Sequence, residues 1–364
     1  MSILYNEDQQ AIAGGARRVL DARSDKSKLL TLLEQAGKYD ETFWSTAVEQ
    51  GWTGLALPEV YGGSGLTLVE MGIVAQATGA ATAGAPFLTS GYGAANALLA
   101  GNDEGLKSRW LPALAAGEAI GALAFAEGNT PLPDQPEVQF ADGKLTGVKL
   151  AVTAGLQADF AVVWAEHAGA SALVLAELAG VERQPLESFD NSRGYARLVF
   201  AGTPAALLLA GDAARTAARD ILARMAVITA HEQVGGAEAL MFLARDYATM
   251  RKAFGQPIGA FQSVKHRIAE LYGLVEIARA NALHAAAREG QGDFLRAAAA
   301  ARLSATEAYD TAARDCVQVH GGVGVTWDGG LHLHMRRARS LAIEQGNMFF
   351  WEDFLVNELT GATA

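Results

Sequence analysis

Cysteine is almost missing from this chain. Cys316 is the only one in 364 residues, so no disulfide can form within the chain, and a reducing compartment is expected. Positive charge is scarce as well: 29 Lys and Arg stand against 40 Asp and Glu, a formal net charge of −11. A surface of that sign repels a phosphate backbone, so nucleic acid is not expected as a partner. Long hydrophobic runs are absent too. A stretch such as Ala205 to Ala210 is far too short to cross a bilayer, so no membrane association is expected. The opening residues, MSILYNE, hold neither a basic n-region nor an apolar h-region, and the expected location is cytoplasmic. Proline clusters densely only at Pro131, Pro133 and Pro136, and no repeat or low-complexity segment is visible.

Half of the residues are hydrophobic and 19% are charged, the profile of a globular protein with a sizeable core. Periodicity divides the chain into three zones. Over residues 1–116 apolar residues recur at helical spacing. The stretch 57–65, LPEVYGGSG, reads there as a long turn between two helices. Over 117–211, short apolar or alternating runs near 120–126, 138–140, 144–152, 160–165, 172–178 and 197–200 are separated by turn residues. That spacing predicts a compact β-barrel or sandwich. Over 212–364 the pattern is helical again. A long helix with Asp212 as its N-cap is predicted to run to about Phe254, where Gly255-Gln256-Pro257 stops it. Helices over 263–289 and 293–320 follow, and Gly321-Gly322 breaks the pattern. The fold class is α+β: an N-terminal helical domain, a middle β-barrel domain and a C-terminal four-helix-bundle domain.

Two segments of the last zone carry chemistry. The first, residues 247–262, reads YATMRKAFGQPIGAFQ: a helix C-terminus with two cations, an aromatic and a glycine–proline turn. Cations on a last helical turn ordinarily complement the helix dipole. The whole string, however, resembles the R-x-x-F-G-x-x-I/L-x-x-x-Q signature of acyl-CoA dehydrogenases. The second segment, residues 318–326, QVHGGVGVT, places glycines after a helix, where bare amides can approach an anionic group. It is similar to that family's Q-x-x-G-G-x-G element. Weaker likenesses extend along the chain: the 57–65 turn to V-P-E-x-Y-G-G-x-G, residues 111–122 to the entry of the β domain, Phe125-Ala126-Glu127 to the strand beside the flavin ring, and residues 149–155 to K-x-W-I-T-x-G.

The resemblance implies FAD as cofactor. Arg251 would bind its pyrophosphate through a fixed guanidinium fork. Phe254, Gln262, Gln318, Val319, Gly321 and Gly322 would line it, largely across a subunit interface, and Phe125 and Thr153 would meet the flavin. Arg336 stands where the family keeps an arginine after the glycines. The substrate would be an acyl-CoA thioester, which loses an α proton to a carboxylate and a β hydrogen to the flavin. An electron-transfer flavoprotein would accept the electrons, and the assembly would be a homotetramer or an α2β2 heterotetramer.

That carboxylate is where the chain departs from the family. Counting without gaps from the glycines places its usual position at Gln345, within AIEQGN, and an amide cannot act as a general base. The alternative position, 26 residues upstream of Arg251, is Met225. Glu344 is the nearest substitute, although a solvent-facing carboxylate is the usual state of such a residue. Glu232 on the long helix is a weaker one. Further departures are Ala126 for threonine, Ala151 for tryptophan, and Gly128-Asn129-Thr130-Pro131 for G-A-G-S-D. The chain resembles the base-free subunit of bacterial steroid- and cholesterol-degrading heteromers, particularly in Thr326-Trp327-Asp328 and Leu331-His332-Leu333-His334. Such a chain is expected to be poorly flavinated or inactive alone. Two other readings stand beside it: a flavin monooxygenase or oxidase of the same fold, and a non-catalytic structural subunit, against which the retained Arg251, Phe254 and glycines argue. The acyl group is not specified. Gly84, Ala85 and Gly91, in a predicted loop over 68–91, suggest room for a bulky one.

Overall fold

The computed structural model describes residues 5–84 and 86–361, so Ala85 lies outside the described residues. Six helices come first: α1 (Glu7–Arg23), α2 (Lys26–Leu33), α3 (Glu41–Glu49), α4 (Leu68–Ala80), α5 (Pro86–Ala100) and α6 (Glu104–Ala115). Most of the loop expected over 68–91 is therefore helix. Strands β1 (Gly121–Ala124), β2 (Gln139–Ala141), β3 (Lys144–Thr153), β4 (Phe160–His167), β5 (Ala170–Glu177), β6 (Glu182–Leu186) and β7 (Tyr195–Ala210) follow. Helix α7 (Gly211–Met250), a hairpin of β8 (Lys252–Ala253) and β9 (Gln256–Pro257), and helices α8 (Gln262–Ala287), α9 (Phe294–His320), α10 (Leu331–Ile343) and α11 (Met348–Thr360) complete the order. No helix among the described residues is long and apolar enough to cross a membrane.

The chain gathers into two compact units. One holds residues 32–71 and 84–225, the other residues up to 31, 72–83 and from 226 onward. In the first, the strand pairings close on themselves. β4 bonds to β2 and β5, β5 to β7, β7 to β3, and β3 back to β2. The predicted barrel is present, with β1 running parallel to β4 and β6 appended to β7.

β4 shows why this sequence makes a barrel beneath helices. Phe160, Val162 and Trp164 pack into one cluster with Leu98, Trp110 and Leu111 of α5 and α6. Ala161, Val163 and Ala165 fall in a second cluster drawn from the other strands. Successive strand side chains point to opposite faces. In β4 the large set therefore meets the helices, while the smaller Ala161, Val163 and Ala165 face the ring's interior beside Phe140, Leu145, Leu198 and Phe200 of other strands. Phe160 and Leu173 are fully buried, and burial of such a side chain contributes about 1.5–3 kcal/mol.

In the second unit α9 packs against α8, α10 and α11. α4 and α7 cross at backbone contact. A Cβ added at Gly79 would overlap the Glu232 carbonyl, and one at Gly235 the Gln76 carbonyl. Two boundaries differ from expectation. α7 starts at Gly211, so Asp212 sits in its first turn rather than capping it. It ends at Met250, short of Phe254, because the glycine–proline turn belongs to the β8–β9 hairpin and not to the helix end.

Candidate functional site

The β8–β9 hairpin shapes the first motif. Lys252 pairs with Pro257 and Ala253 with Gln256, which leaves Phe254 and Gly255 as a two-residue loop. Both have positive φ, +51° and +82°, the conformation whose twist matches the strands of a tight hairpin. For phenylalanine that backbone is strained. Its ring is 96% exposed and meets only the edge of Phe261, at 6.2 Å between centroids. The Arg251 carbonyl accepts from the Ile258 amide at 2.8 Å. The Arg251 side chain is exposed, and among the described residues no carboxylate pairs with it. Gln262 opens α8, whose N-cap Phe261 supplies no side-chain bond to the first turn. Uncapped amides there favour an external anion.

The second motif lies close to the first within one chain. Tyr247, one turn before Arg251, stacks on His320 at 4.2 Å and 27°. His320 ends α9, and Gly321 turns the chain with φ +60°. A Cβ at Gly321 or Gly322 would meet no atom within 4 Å. The space over these amides is open. Gln318 is exposed, whereas Val319 is buried and can offer a ligand only its backbone. Arg336 is half-buried on α10. The Arg251 guanidinium, without a carboxylate among the described residues, the exposed Phe254 ring, the uncapped start of α8 and the open glycine amides suit a ligand with phosphate oxygens and a flat ring system.

In the barrel unit, Phe125 is buried against Trp164, with ring centroids 6.3 Å apart. Its side chain serves the core. Thr153 is half-buried at the end of β3, opposite Tyr195. Between them lies a bond that motif reading did not join, linking Lys149 of one quoted segment to Glu127 of the other. Lys149 is fully buried and donates from Nζ to the Phe125 carbonyl at 3.0 Å and to Glu127 Oε1 at 2.6 Å. Glu127 accepts in turn from the amides of Glu137 (2.6 Å) and Val138 (3.2 Å). Burial pulls the Lys149 ammonium down to about 8, against the opposing pull of Glu127. Strand alternation was the available signal, since Lys149 is in phase with the inward Leu145.

The turn between α10 and α11 holds the position where a base was sought. Gln345 has φ +53° and Gly346 φ +109°, and Asn347 caps α11 by accepting from the Phe350 amide at 3.0 Å. Buried Arg302 of α9 donates to the carbonyls of Leu341 and Glu344, the latter at 2.8 Å, and is itself braced by Gln233 and Thr306. Gln345 Oε1 accepts from Thr229 Oγ1 at 2.9 Å. A non-glycine residue in this left-handed conformation costs free energy and persists where surrounding bonds hold it. Glu344 is 6% exposed, which corrects the expectation of a solvent-facing carboxylate. Glu232 is buried and bound to Arg337 at 2.9 Å. Met225 sits in an apolar cluster with Leu98 and Ile221. Thr229, Arg302 and Arg337 had no local sequence signal, because their partners are remote along the chain.

Comparison with known proteins agrees with the geometry. The family model of the acyl-CoA dehydrogenase N-terminal domain matches residues 6–118, and that of the C-terminal domain residues 215–348. Acyl-CoA dehydrogenase IpdE2 of Mycobacterium tuberculosis is 33% identical over 308 residues, which cover 84% of this chain and 82% of that one. The ChsE4-ChsE5 complex from Mycobacterium tuberculosis contains a chain with TM-score 0.89 and 26% identity, with 100% of each chain covered. The Tcur3481-Tcur3483 steroid ACAD shares the fold, with TM-score 0.86, 24% identity and 98% of each chain covered.

Proposed function

Because the chain belongs to the acyl-CoA dehydrogenase family, we propose that it is the base-lacking subunit of an FAD-dependent enzyme that introduces a double bond between the α and β carbons of an acyl-CoA thioester. The observation that carries this reading is Gln345, an amide locked to Thr229 in the turn where the reaction needs a carboxylate. Glu232 is no substitute, since its carboxylate is committed to Arg337 inside the helical unit. The α proton then passes to a carboxylate supplied by a second, related chain in an α2β2 heterotetramer. The relative that is one chain of a ChsE4-ChsE5 complex supports a two-chain assembly. The steroid substrate class in the name of the Tcur3481-Tcur3483 protein is consistent with a bulky or steroid-derived acyl group here.

FAD, when bound, supplies the acceptor for the β hydrogen. The chain's own contribution is binding and orientation. The Arg251 guanidinium would pair with pyrophosphate oxygens, the amides around Gly321 and Gly322 and at the start of α8 would add donors, and Phe254 and Gln262 would line the cofactor across a subunit interface. Thr153 and the backbone beside Phe125 would face the flavin from the middle domain, residues 117–211. An electron-transfer flavoprotein takes up the electrons, and the assembly is cytoplasmic.

The test is the absorbance of the purified chain under anaerobic acyl-CoA. We expect a flavin band that acyl-CoA does not bleach until the dehydrogenase-like chain encoded nearby is added. Bleaching by the chain alone, abolished in Glu344→Gln, would instead show a self-sufficient homotetramer with Glu344 as base. A preparation without flavin in any assembly would leave only a structural subunit.

A further inference from the structure

The Lys149–Glu127 pair is a deeply buried ion pair of the barrel unit, and the proposed chemistry does not use it. Its side chains are 0% and 9% exposed. Placing two charges there is costly, and a pair so placed is weak evidence of stabilisation by itself. Its bonds show what the pair holds. Lys149 fastens β3 to the Phe125 carbonyl, and Glu127 fastens the same segment to the Glu137 and Val138 amides at the approach to β2. Glu127 is also held from its backbone, by reciprocal bonds with Thr130 at 3.1 and 3.0 Å. Segment 125–127 is thus tied on both sides of Ala126, while the Ala126 amide and carbonyl bond to no backbone group among the described residues.

A second irregularity adjoins the pair. The β3–β7 register shifts between Lys149 and Val152, and Ala151 inside that shift has φ +53°. A bulge of this kind re-aims the residues beyond it, here Thr153. One residue, Lys149, therefore sits at the junction of both flavin-facing segments: it anchors the carbonyl next to Ala126 and starts the bulge that leads to Thr153. Ala126 is half-buried, and its backbone groups, unclaimed by the strands on either side, are available to a ligand's ring edge.

We propose that Lys149 and Glu127 are positioning residues, which hold the 125–127 segment so that its free backbone groups meet the flavin ring. The inference rests on the reading that this chain binds FAD. Neither side chain touches the ring; the pair acts through the backbone it fixes. Of the two, Lys149 is decisive, because it bonds the strand carbonyl directly and also orients Glu127.

The test titrates FAD into the full-length chain, to concentrations at which a weak site still reads, for wild type, Lys149→Met and Glu127→Gln. The absorbance maximum of bound flavin and the urea midpoint of the flavin-free protein are measured in parallel. Glu127→Gln keeps the shape and one acceptor, and guards against simple misfolding of Lys149→Met. The expected result is a loss of FAD affinity of about tenfold, the size seen when a supporting contact is removed, with a displaced absorbance maximum in both variants. Unchanged affinity and spectrum beside a lowered urea midpoint would overturn the proposal and leave the pair structural. Failure of the wild type to bind FAD, both alone and with the second chain present, would overturn the cofactor reading itself, and this inference with it.

Discussion

Arg337 Nη1 lies 2.9 Å from Glu232 Oε1, and both side chains are 1% exposed. The same guanidinium donates to the carbonyls of Ala83 at 2.8 Å and Thr82 at 3.1 Å. It therefore ties α10 to α7 and to the chain just after α4. Removing one partner of such a pair strands a charge in the interior, which costs about 3–5 kcal/mol. Glu232→Ala is expected to lower the unfolding free energy by that amount in urea denaturation. A fully folded, equally stable Glu232→Ala protein would mean that the carboxylate is not held as described.

Glycines in this chain divide by what surrounds them. Gly235→Ala drives a methyl into the Gln76 carbonyl where α4 and α7 cross, and overpacking of this kind costs about 1–3 kcal/mol or more. Gly322→Ala meets open space, and its φ is not in the left-handed region. Thermal unfolding of the two variants without flavin should show a lowered Tm for Gly235→Ala and none for Gly322→Ala, whose defect should appear only in FAD binding.

Arg251 makes no ion pair among the described residues, so its removal leaves no buried charge behind. Arg251→Ala is expected to lower FAD affinity by at least about tenfold, as for loss of a charge-assisted bond, with the Tm of the flavin-free chain unchanged. Arg251→Lys should recover only part of the affinity, because a point charge replaces a fork. Equal FAD binding by Arg251→Ala and wild type would remove this residue from the site.

Two buried histidines, His231 and His334, are expected to lower stability in mild acid. Burial lowers His334, which meets the Tyr309 hydroxyl at 2.9 Å, to about 3, with the Arg337 charge adding to the effect. Burial likewise lowers His231 to about 4. Unfolded histidine titrates near 6.5. Above that value both states are neutral and the contribution is level. Between about 6.5 and 4 the unfolded chain takes up protons that the folded chain refuses, so stability falls as pH falls. Urea midpoints at pH 7, 6 and 5 should decline, and His334→Gln should flatten part of the slope. A flat profile in wild type would show that these rings are hydrated.

Much of the barrel is legible because short apolar or alternating runs are set off by turn residues. β4 and β5 are buried along nearly their whole length, so each shows in the sequence as a short apolar run bounded by turn residues. β6 was missed for a physical reason: Glu-Arg-Gln-Pro-Leu is polar, contains Pro185 and bonds only to β7, and edge strands tolerate proline and need no apolar face. The end of α7 was misplaced because glycine followed by proline is a valid stop for a helix and equally a valid hairpin loop. Only the pairing of Lys252 with Pro257 distinguishes them.

The sequence by itself determined the family, through short strings whose residues act where they stand: Arg251 to Gln262, Gln318 to Gly324, and an amide at position 345. Tertiary structure alone decided which carboxylates are available. Glu232 and Arg337, Thr229 and Gln345, and Lys149 and Glu127 are far apart along the chain, and no local periodicity encodes a bond between them. They meet because helices and strands, once packed, bring polar groups into a medium without water, where each must find a partner or carry the full cost of desolvation.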